Sequence, residues 1–350
     1  MNLKRAKELL SLYISADLAA FLWGMPGVGK SSLIKQHAKE RKLNVIDFRC
    51  STRDPVALMG IPAVEGDTAR WTVPDEFPQV ERDGEKGILF LDELNVAAPS
   101  MQAAAFGLVL DRKVGEYTMP PGWRIIAAGN RQSDRAAAQR MPSALANRFA
   151  HIDVDADLDT TVQHFIDLDL DPLLLAFLRF RPALLHNMEG AGDLRAFPTP
   201  RSWESVGKML KEQRIMAEAA TADPNDKDIA ARLNTFRATA IAGIVGDGAA
   251  AEFEGFVRVY QQLPSLDLVL ANPNSAPVPT EPAAKYAMAS GLARKVDAKS
   301  FENGMIYAQR IPGRDFEIMF TVDAVRRDVK FSHTQAFTDW SVRNQDVTFN

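Results

Sequence analysis

Cysteine is almost absent from these 350 residues, Cys50 being the only one, so no internal disulfide can form. That usage fits a reducing compartment. Cys50 and the five histidines show no metal-ligand spacing and are expected to be structural. Long apolar runs are missing too: no window approaches about 18 uninterrupted apolar residues, so no membrane span is expected. A strong surplus of one charge is also lacking. Lys plus Arg number 41 against 45 Asp plus Glu, for a net charge of −4 and a pI near 5.8. This argues against wholesale attraction to nucleic acid or anionic lipid, while leaving room for a local basic patch. There are no internal repeats, and no Asn-Lys-x-Asp sequence of the kind that reads guanine. The opening MNLKRAKELLSLY mixes Lys and Glu into its apolar stretch, as an amphipathic helix does and a signal peptide does not. A cytoplasmic protein is the expectation.

Apolar residues make up 46% of the chain and charged residues 25%, enough to bury at least one full core. The length suggests two domains, or one large domain with additions. Short apolar runs at Ala19–Trp23, Asn44–Phe48, Gly87–Leu91 and Arg124–Ala128 have the pattern of buried strands, with His151–Val154 as a candidate fifth. Strands separated by helical or loop stretches indicate parallel pairing with helices on both faces. From Leu158 to about Leu263 helical patterns replace the strand signals, as in Glu204–Arg214 and Asp228–Ile244. The four prolines in NPNSAPVPTEP, residues 272–282, imply an extended connector. Beyond it Lys285–Leu292 has helical character and Phe316–Val325 the apolar density of a strand. The expected organisation is an α/β nucleotide-binding domain over 1–155, a helical lid over 156–263 and a C-terminal extension of unassigned role over 264–350.

Two motifs carry chemistry. Residues 24–31, Gly-Met-Pro-Gly-Val-Gly-Lys-Ser, match GxxxxGK[S/T] in full, between an apolar run and a stretch with helical character (Ser32–Arg41). Backbone N–H groups of such a turn, at a helix N-terminus, can surround a β-phosphate. Gly24, Pro26, Gly27, Val28, Gly29, Lys30, Ser31 and Ser32 form the candidate cradle. Lys30 would reach the β- and γ-phosphates, and the Ser31 hydroxyl would bind Mg²⁺. The second motif is GILFLDELN, residues 87–95, in which four apolar residues lead to paired carboxylates. In open α/β sheets ligands sit at the carboxyl ends of strands. Asp92 would hold the Mg²⁺ shell and Glu93 would act as general base on the attacking water. The implied fold class is an α/β P-loop NTPase with a parallel sheet flanked by helices, followed by a smaller helical lid domain. The implied cofactors are ATP and Mg²⁺.

Together with the segments C-terminal to them, these motifs resemble the AAA+ ATPases, more narrowly the MoxR-like branch, over roughly residues 5–210. DELNVAAPSMQAA is similar to that branch's segment through Asp92, Glu93, Asn95, Pro99 and Gln102. GIP at 60–62 and WTVPDEFP at 71–78 resemble loops of the same branch. The resemblance implies that Asn130, in Ala-Ala-Gly-Asn-Arg, is the sensor 1 residue that helps orient the lytic water. It implies that Arg148, in MPSALANRF (141–149), is an arginine finger for a neighbouring subunit, with Arg140 a rival. It implies that Arg201, in PTPRS (198–202), is a sensor 2 residue contacting the γ-phosphate. Val96-Ala97-Ala98 departs from the family's charged character after that strand, and residues 264–350 extend beyond the alignable part.

Phosphoryl transfer needs positive charge where the γ-phosphate develops negative charge, so an Arg148 that serves a neighbour implies a ring, a hexamer in the family. The leading expectation is a remodelling or chaperone-like ATPase acting on a protein substrate. The resemblance adds a partner carrying a von Willebrand factor A domain. Nucleic acid is the less expected partner: a translocase or motor is disfavoured by the acidic pI and the lack of a basic-aromatic stripe. A non-hydrolysing ATP-dependent scaffold remains a third reading, although Glu93 and Asn130 show no degeneration. A GTPase or a small-molecule kinase fits the combined residues less well.

Overall fold

The structure is a computed structural model. It describes every residue except 132–138, 189–194, 223–226 and 348–350, with the backbone alone described at 65, 220–222, 227–231, 233 and 234. The chain divides into two units, Met1–Asp157 and Leu158–Asn350.

In the first unit the apolar runs become strands. In chain order they are β1 (Ala20–Trp23), β2 (Asn44–Arg49), β3 (Pro62–Glu65), β4 (Thr68–Trp71), β5 (Gly87–Asp92), β6 (Lys113–Val114), β7 (Tyr117–Thr118), β8 (Trp123–Gly129) and β9 (Ala150–Asp153). Five of them form one sheet in the order β2-β5-β8-β1-β9, and every pairing in it is parallel. β3 with β4, and β6 with β7, make separate antiparallel hairpins. All six residues of β5 are buried, as expected for a central strand covered on both faces. Its side chains alternate between two cores. Leu89 and Leu91 join Phe21, Phe48, Met101, Leu108 and Ala127, while Ile88 and Phe90 join Leu10, Leu22, Ile34, Ile126 and Ile152. At the strand's start Gly87 admits the Trp123 ring, which would lie 2.6 Å from an added Cβ.

Helices cover both faces. Leu3–Ser15 is capped by Asn2, whose Oδ1 accepts a hydrogen bond from the Arg5 amide at 3.0 Å. Lys30–Arg41 follows the glycine-rich loop. Pro99–Asp111 starts on a proline, which fits the first helical turn, and buries Met101, Gln102, Ala105, Leu108 and Val109.

The regular elements of the second unit, among its described residues, are all helices or 3-10 turns. The segment Phe316–Val325, expected as a strand, lies inside the helix Arg314–Arg327. Its buried residues explain the difference. Phe320 pairs with Ala324 and Thr321 with Val325 at i, i+4 spacing, a helical stripe hidden within a run rich in β-branched residues. Asp315 and Glu317 in the first turn and Arg326 and Arg327 in the last also suit the helix dipole. Residues 264–350, expected as an extension, pack within the second unit. One core joins Val269, Met288, Phe301, Phe320, Phe331 and Trp340. The proline-rich segment 272–282 is held against the helix Phe301–Arg310: Tyr307 Oη donates to Pro277 O at 2.6 Å, and Arg310 donates to Pro273 O.

The helices Pro172–Phe180 and Arg314–Arg327 are tied by a buried ion pair. Arg179 Nη2 donates to Asp323 Oδ1 at 2.7 Å and Nη1 donates to Oδ2. Burial pulls the Arg179 pKa down, but the Asp323 carboxylate more than offsets this and leaves it raised. Breaking such a pair strands a buried charge, whereas replacing both partners does not. Asp323→Asn is therefore expected to cost about 3–5 kcal/mol in urea unfolding. The combined Arg179→Met, Asp323→Leu chain should recover most of that loss. A single variant as stable as the unaltered chain would contradict the pairing.

Candidate functional site

The site begins where β1 runs into the loop 24–29. Gly24 has no room for a side chain, since an added Cβ would lie 2.4 Å from Val154 O. Gly27 and Gly29 have φ values of 80° and 96°, a left-handed conformation that glycine adopts at little cost. Gly29 is the N-cap of the helix Lys30–Arg41, and no side chain caps that end. The first intrahelical bond runs from Leu33 N to Gly29 O at 2.9 Å. The amides of the first turn precede it, and at an uncapped helix start such groups suit an anion.

Lys30 is buried, and its ammonium gathers three oxygens: Gly24 O at 2.5 Å, Met25 O at 3.1 Å and Asn130 Oδ1 at 3.1 Å. The next residue, Ser31, donates its hydroxyl to Asp92 Oδ2 at 3.1 Å. Asp92 ends β5 and is buried; its other oxygen accepts the Glu93 amide at 3.0 Å. Burial raises its pKa, with the Ser31 hydroxyl pulling the other way. Ser31 and Asp92 thus bring a hydroxyl and a carboxylate oxygen to one point, a hard-oxygen set that fits Mg²⁺. Among the described residues no group of three or more His, Cys, Asp or Glu side chains could hold a metal by itself, so waters and phosphate oxygens would complete such a shell.

Glu93 stands in the left-handed region, at φ 57°. For a residue with a Cβ this costs on the order of 1–2 kcal/mol, and it turns the chain sharply after β5. The Leu94 amide then donates back to Ala128 O at 3.1 Å. Ser51 donates its hydroxyl to Glu93 Oε2. Asn95, fully buried, brackets the backbone of Asn130 from both sides: its Nδ2 donates to Asn130 O at 2.6 Å, and its Oδ1 accepts the Asn130 amide at 3.1 Å. Gly129 makes that approach possible, because a Cβ there would lie 1.9 Å from Asn95 Oδ1. In the following helix Gln102 donates to Ala97 O at 3.0 Å.

Five sequence-derived residues therefore converge: Lys30, Ser31, Asp92, Glu93 and Asn130. Arg148 does not join them. It follows the short helix Ser143–Ala146 and is anchored by Phe149, which is buried edge-on against Phe21 at 5.3 Å. The Arg148 side chain is exposed and engages no side-chain partner among the described residues; Arg140 is alike in both respects. Arg201 is exposed in the first turn of the helix Pro200–Ala222, in the second unit. Glu204, three residues on in the same helix, engages Lys208 at 2.5 Å and His164 at 3.2 Å.

Two residues near the site were not legible in the sequence, Ser51 and Arg49. Arg49 is the register partner of Asp92 across β2 and β5, and its Nη2 lies 3.9 Å from Asp92 Oδ2. Only strand register reveals either contact. Cys50, between them, is buried, and burial with the nearby Asp92 charge pushes its thiol up to about 12, which leaves it inert as a nucleophile.

Residues 19–149 match the family model described as AAA domain (dynein-related subfamily). The sheet order, with the glycine-rich loop after β1, is that of a P-loop AAA fold. Among solved structures, the Thermotoga maritima RuvB Holliday junction branch migration motor aligns at 16% identity over 77% of this chain and 81% of that one, with a TM-score of 0.36. A putative ATPase from Cytophaga hutchinsonii aligns at 14% identity over 72% and 75%, with a TM-score of 0.34. NtrX from Brucella abortus aligns at 12% over 68% and 51%, with a TM-score of 0.35. No curated protein matches the chain. Superpositions this loose bear on neither substrate nor partner.

The Asn95 bracket yields a stability test. Asn95→Ala leaves the Asn130 N–H and C=O without their amide partners, at an expected cost of about 1–3 kcal/mol in chemical unfolding. A loss below about 0.5 kcal/mol, the level of an ordinary surface substitution, would show that the bracket contributes little.

Proposed function

We propose that this chain is a Mg²⁺-dependent ATPase of the AAA+ type. The observation that carries the reading is the pair of contacts that close the site, Ser31 Oγ to Asp92 Oδ2 and Lys30 Nζ to Asn130 Oδ1, both 3.1 Å. Together they bring the cradle, the metal-binding oxygens and a polar residue of the neighbouring strand into one small volume. The loop Gly24–Ser32 receives the phosphates on its backbone amides, and Lys30 exchanges its carbonyl oxygens for phosphate oxygens. Ser31 and Asp92 would hold Mg²⁺, which would supply charge neutralisation at the phosphates. Glu93 takes the proton of the attacking water, and Asn130, fixed by Asn95, orients that water. The hydroxyl of Ser51 engages one oxygen of Glu93, leaving the other as the base.

Assembly brings in the exposed arginines. Arg148, without a side-chain partner among the described residues, reaches the nucleotide of a neighbouring copy in a ring, a hexamer by resemblance to the MoxR-like branch. Arg201 supplies a further cation from the helical unit. Hydrolysis then drives remodelling of a protein substrate, with a von Willebrand factor A domain protein as partner. No helix among the described residues is long and apolar enough to cross a membrane, so nothing in this scheme calls for membrane insertion.

Turnover and binding separate these roles. Lys30→Ala should abolish binding of a fluorescent ATP analogue. Glu93→Gln should bind it normally while turnover falls by roughly 10²–10⁴. In the unaltered chain, turnover per subunit should rise with protein concentration, and Arg148→Ala should remove on the order of 10³ of it. Concentration-independent turnover that ignores Arg148 would overturn the ring while leaving the ATPase.

A further inference from the structure

The turn that carries Arg148 is held by a histidine that the proposed chemistry does not use. Ala146 O closes this turn by accepting the Phe149 amide at 3.1 Å, so Asn147 and Arg148 are its two central residues, both exposed. His151 Nε2 donates to the same carbonyl at 2.9 Å. The other ring nitrogen, Nδ1, accepts the indole N–H of Trp23 at 2.8 Å. The partners fix these roles, because a carbonyl can only accept and an indole nitrogen can only donate. His151 therefore carries its proton on Nε2 and leaves Nδ1 bare.

Strand register assembles this chain of three groups. β1 and β9 pair in parallel, with Phe21 opposite His151 and Trp23 opposite Asp153. Phe21, Trp23 and His151 consequently lie on one face of the sheet. There the Phe21 and Trp23 rings stack at 4.1 Å, and the Trp23 and His151 rings lie 5.9 Å apart. Trp23 ends β1 and directly precedes Gly24, the first residue of the glycine-rich loop. One hydrogen-bonded path thus runs from the rim of the phosphate cradle to the turn that carries Arg148.

We propose that His151 is a positioning residue for Arg148. By holding Ala146 O against the end of β1, it sets the orientation from which the guanidinium meets a neighbour's nucleotide. This rests on the reading of Arg148 as a finger for a neighbouring copy. Leu145 and Phe149 anchor the turn by burial, which is non-directional, whereas a hydrogen bond has a preferred line. His151 is itself exposed, and water competes for both of its hydrogen bonds, so they contribute little to folding. What they supply is direction.

Three substitutions in the full chain separate the roles of the ring. His151→Gln keeps an N–H donor for Ala146 O, His151→Asn keeps an acceptor for Trp23, and His151→Phe keeps only the ring. In steady-state Mg²⁺-ATP turnover, His151→Asn and His151→Phe should lower kcat by about tenfold to hundredfold, the effect of a misplaced reacting group. KM and the urea unfolding midpoint should not move, and His151→Gln should retain most of the turnover. Combined with Arg148→Ala, neither His151→Asn nor His151→Phe should lower turnover further, since the residue being positioned is gone. Full turnover in His151→Phe, where Arg148→Ala alone collapses, overturns the positioning role and leaves the finger. Full turnover in Arg148→Ala overturns both. A loss that persists beside Arg148→Ala, or that comes with a lowered unfolding midpoint, assigns His151 an ordinary structural role and overturns the proposal. Should His151→Phe fail to fold, the comparison of Asn with Gln decides by the same criteria.

Discussion

A carboxylate at the end of a fully buried strand is the constraint on which the α/β unit turns. β5 is covered on both faces, and the chain cannot reach bulk water before Asp92. A buried carboxylate must find donors, because leaving it unpaired costs far more than any single hydrogen bond returns. Here the donors are the Ser31 hydroxyl and the Glu93 amide, with Arg49 near the edge. That solution fixes the start of the helix Lys30–Arg41 against the end of β5, and so fixes the glycine-rich loop that precedes it. The abrupt turn follows at Glu93, whose left-handed backbone sends the Leu94 amide back to Ala128 O.

The strain at Glu93 is sustained by its surroundings. Asn95 sits two residues later, fully buried, with its amide spent on the backbone of Asn130. β8 ends in Gly129 for the same reason, since any side chain there would displace Asn95. Packing therefore links the turn after β5 to the end of β8, and through Asn130 Oδ1 to the Lys30 ammonium. Four separate chain segments are held in one polar network, and the hydrophobic cores on either side of the sheet keep it from relaxing.

Most of this unit was legible because its signals are local. The glycine-rich loop, the apolar strands and the Asp92-Glu93 pair are contiguous patterns whose period or composition identifies them. Contacts set by strand register were not legible: Ser51 meets Glu93 and Arg49 meets Asp92 only because β2 pairs with β5 in one alignment. The helix Arg314–Arg327 reads as a strand because Ile318, Thr321, Val322 and Val325 give it strand-like composition, while its i, i+4 burial stripe depends on neighbours far away in sequence. For the same reason the packing of residues 264–350 with the preceding helices has no counterpart in any single window of sequence. The Arg179–Asp323 pair, 144 residues apart, is an extreme case.

Cations are distributed in a way that bears on the proposed mechanism. Within the α/β unit Lys30 is enclosed by oxygens and Arg49 leans toward a carboxylate, so both are already engaged. Arg148 and Arg140 are exposed on the segment before β9, without such partners among the described residues. A guanidinium on a solvated surface gains little from an exposed ion pair in its own chain, and leaving water is compensated only where it meets an opposite charge. Phe149, locked against Phe21, holds the backbone at residue 148 in place while the side chain stays outside. A rigid base with an exposed charged tip can deliver positive charge to a second copy without first breaking a contact to any described residue. On the proposed reading, the remaining cost of assembling a shared site is the desolvation of the guanidinium, which the phosphate charge would offset.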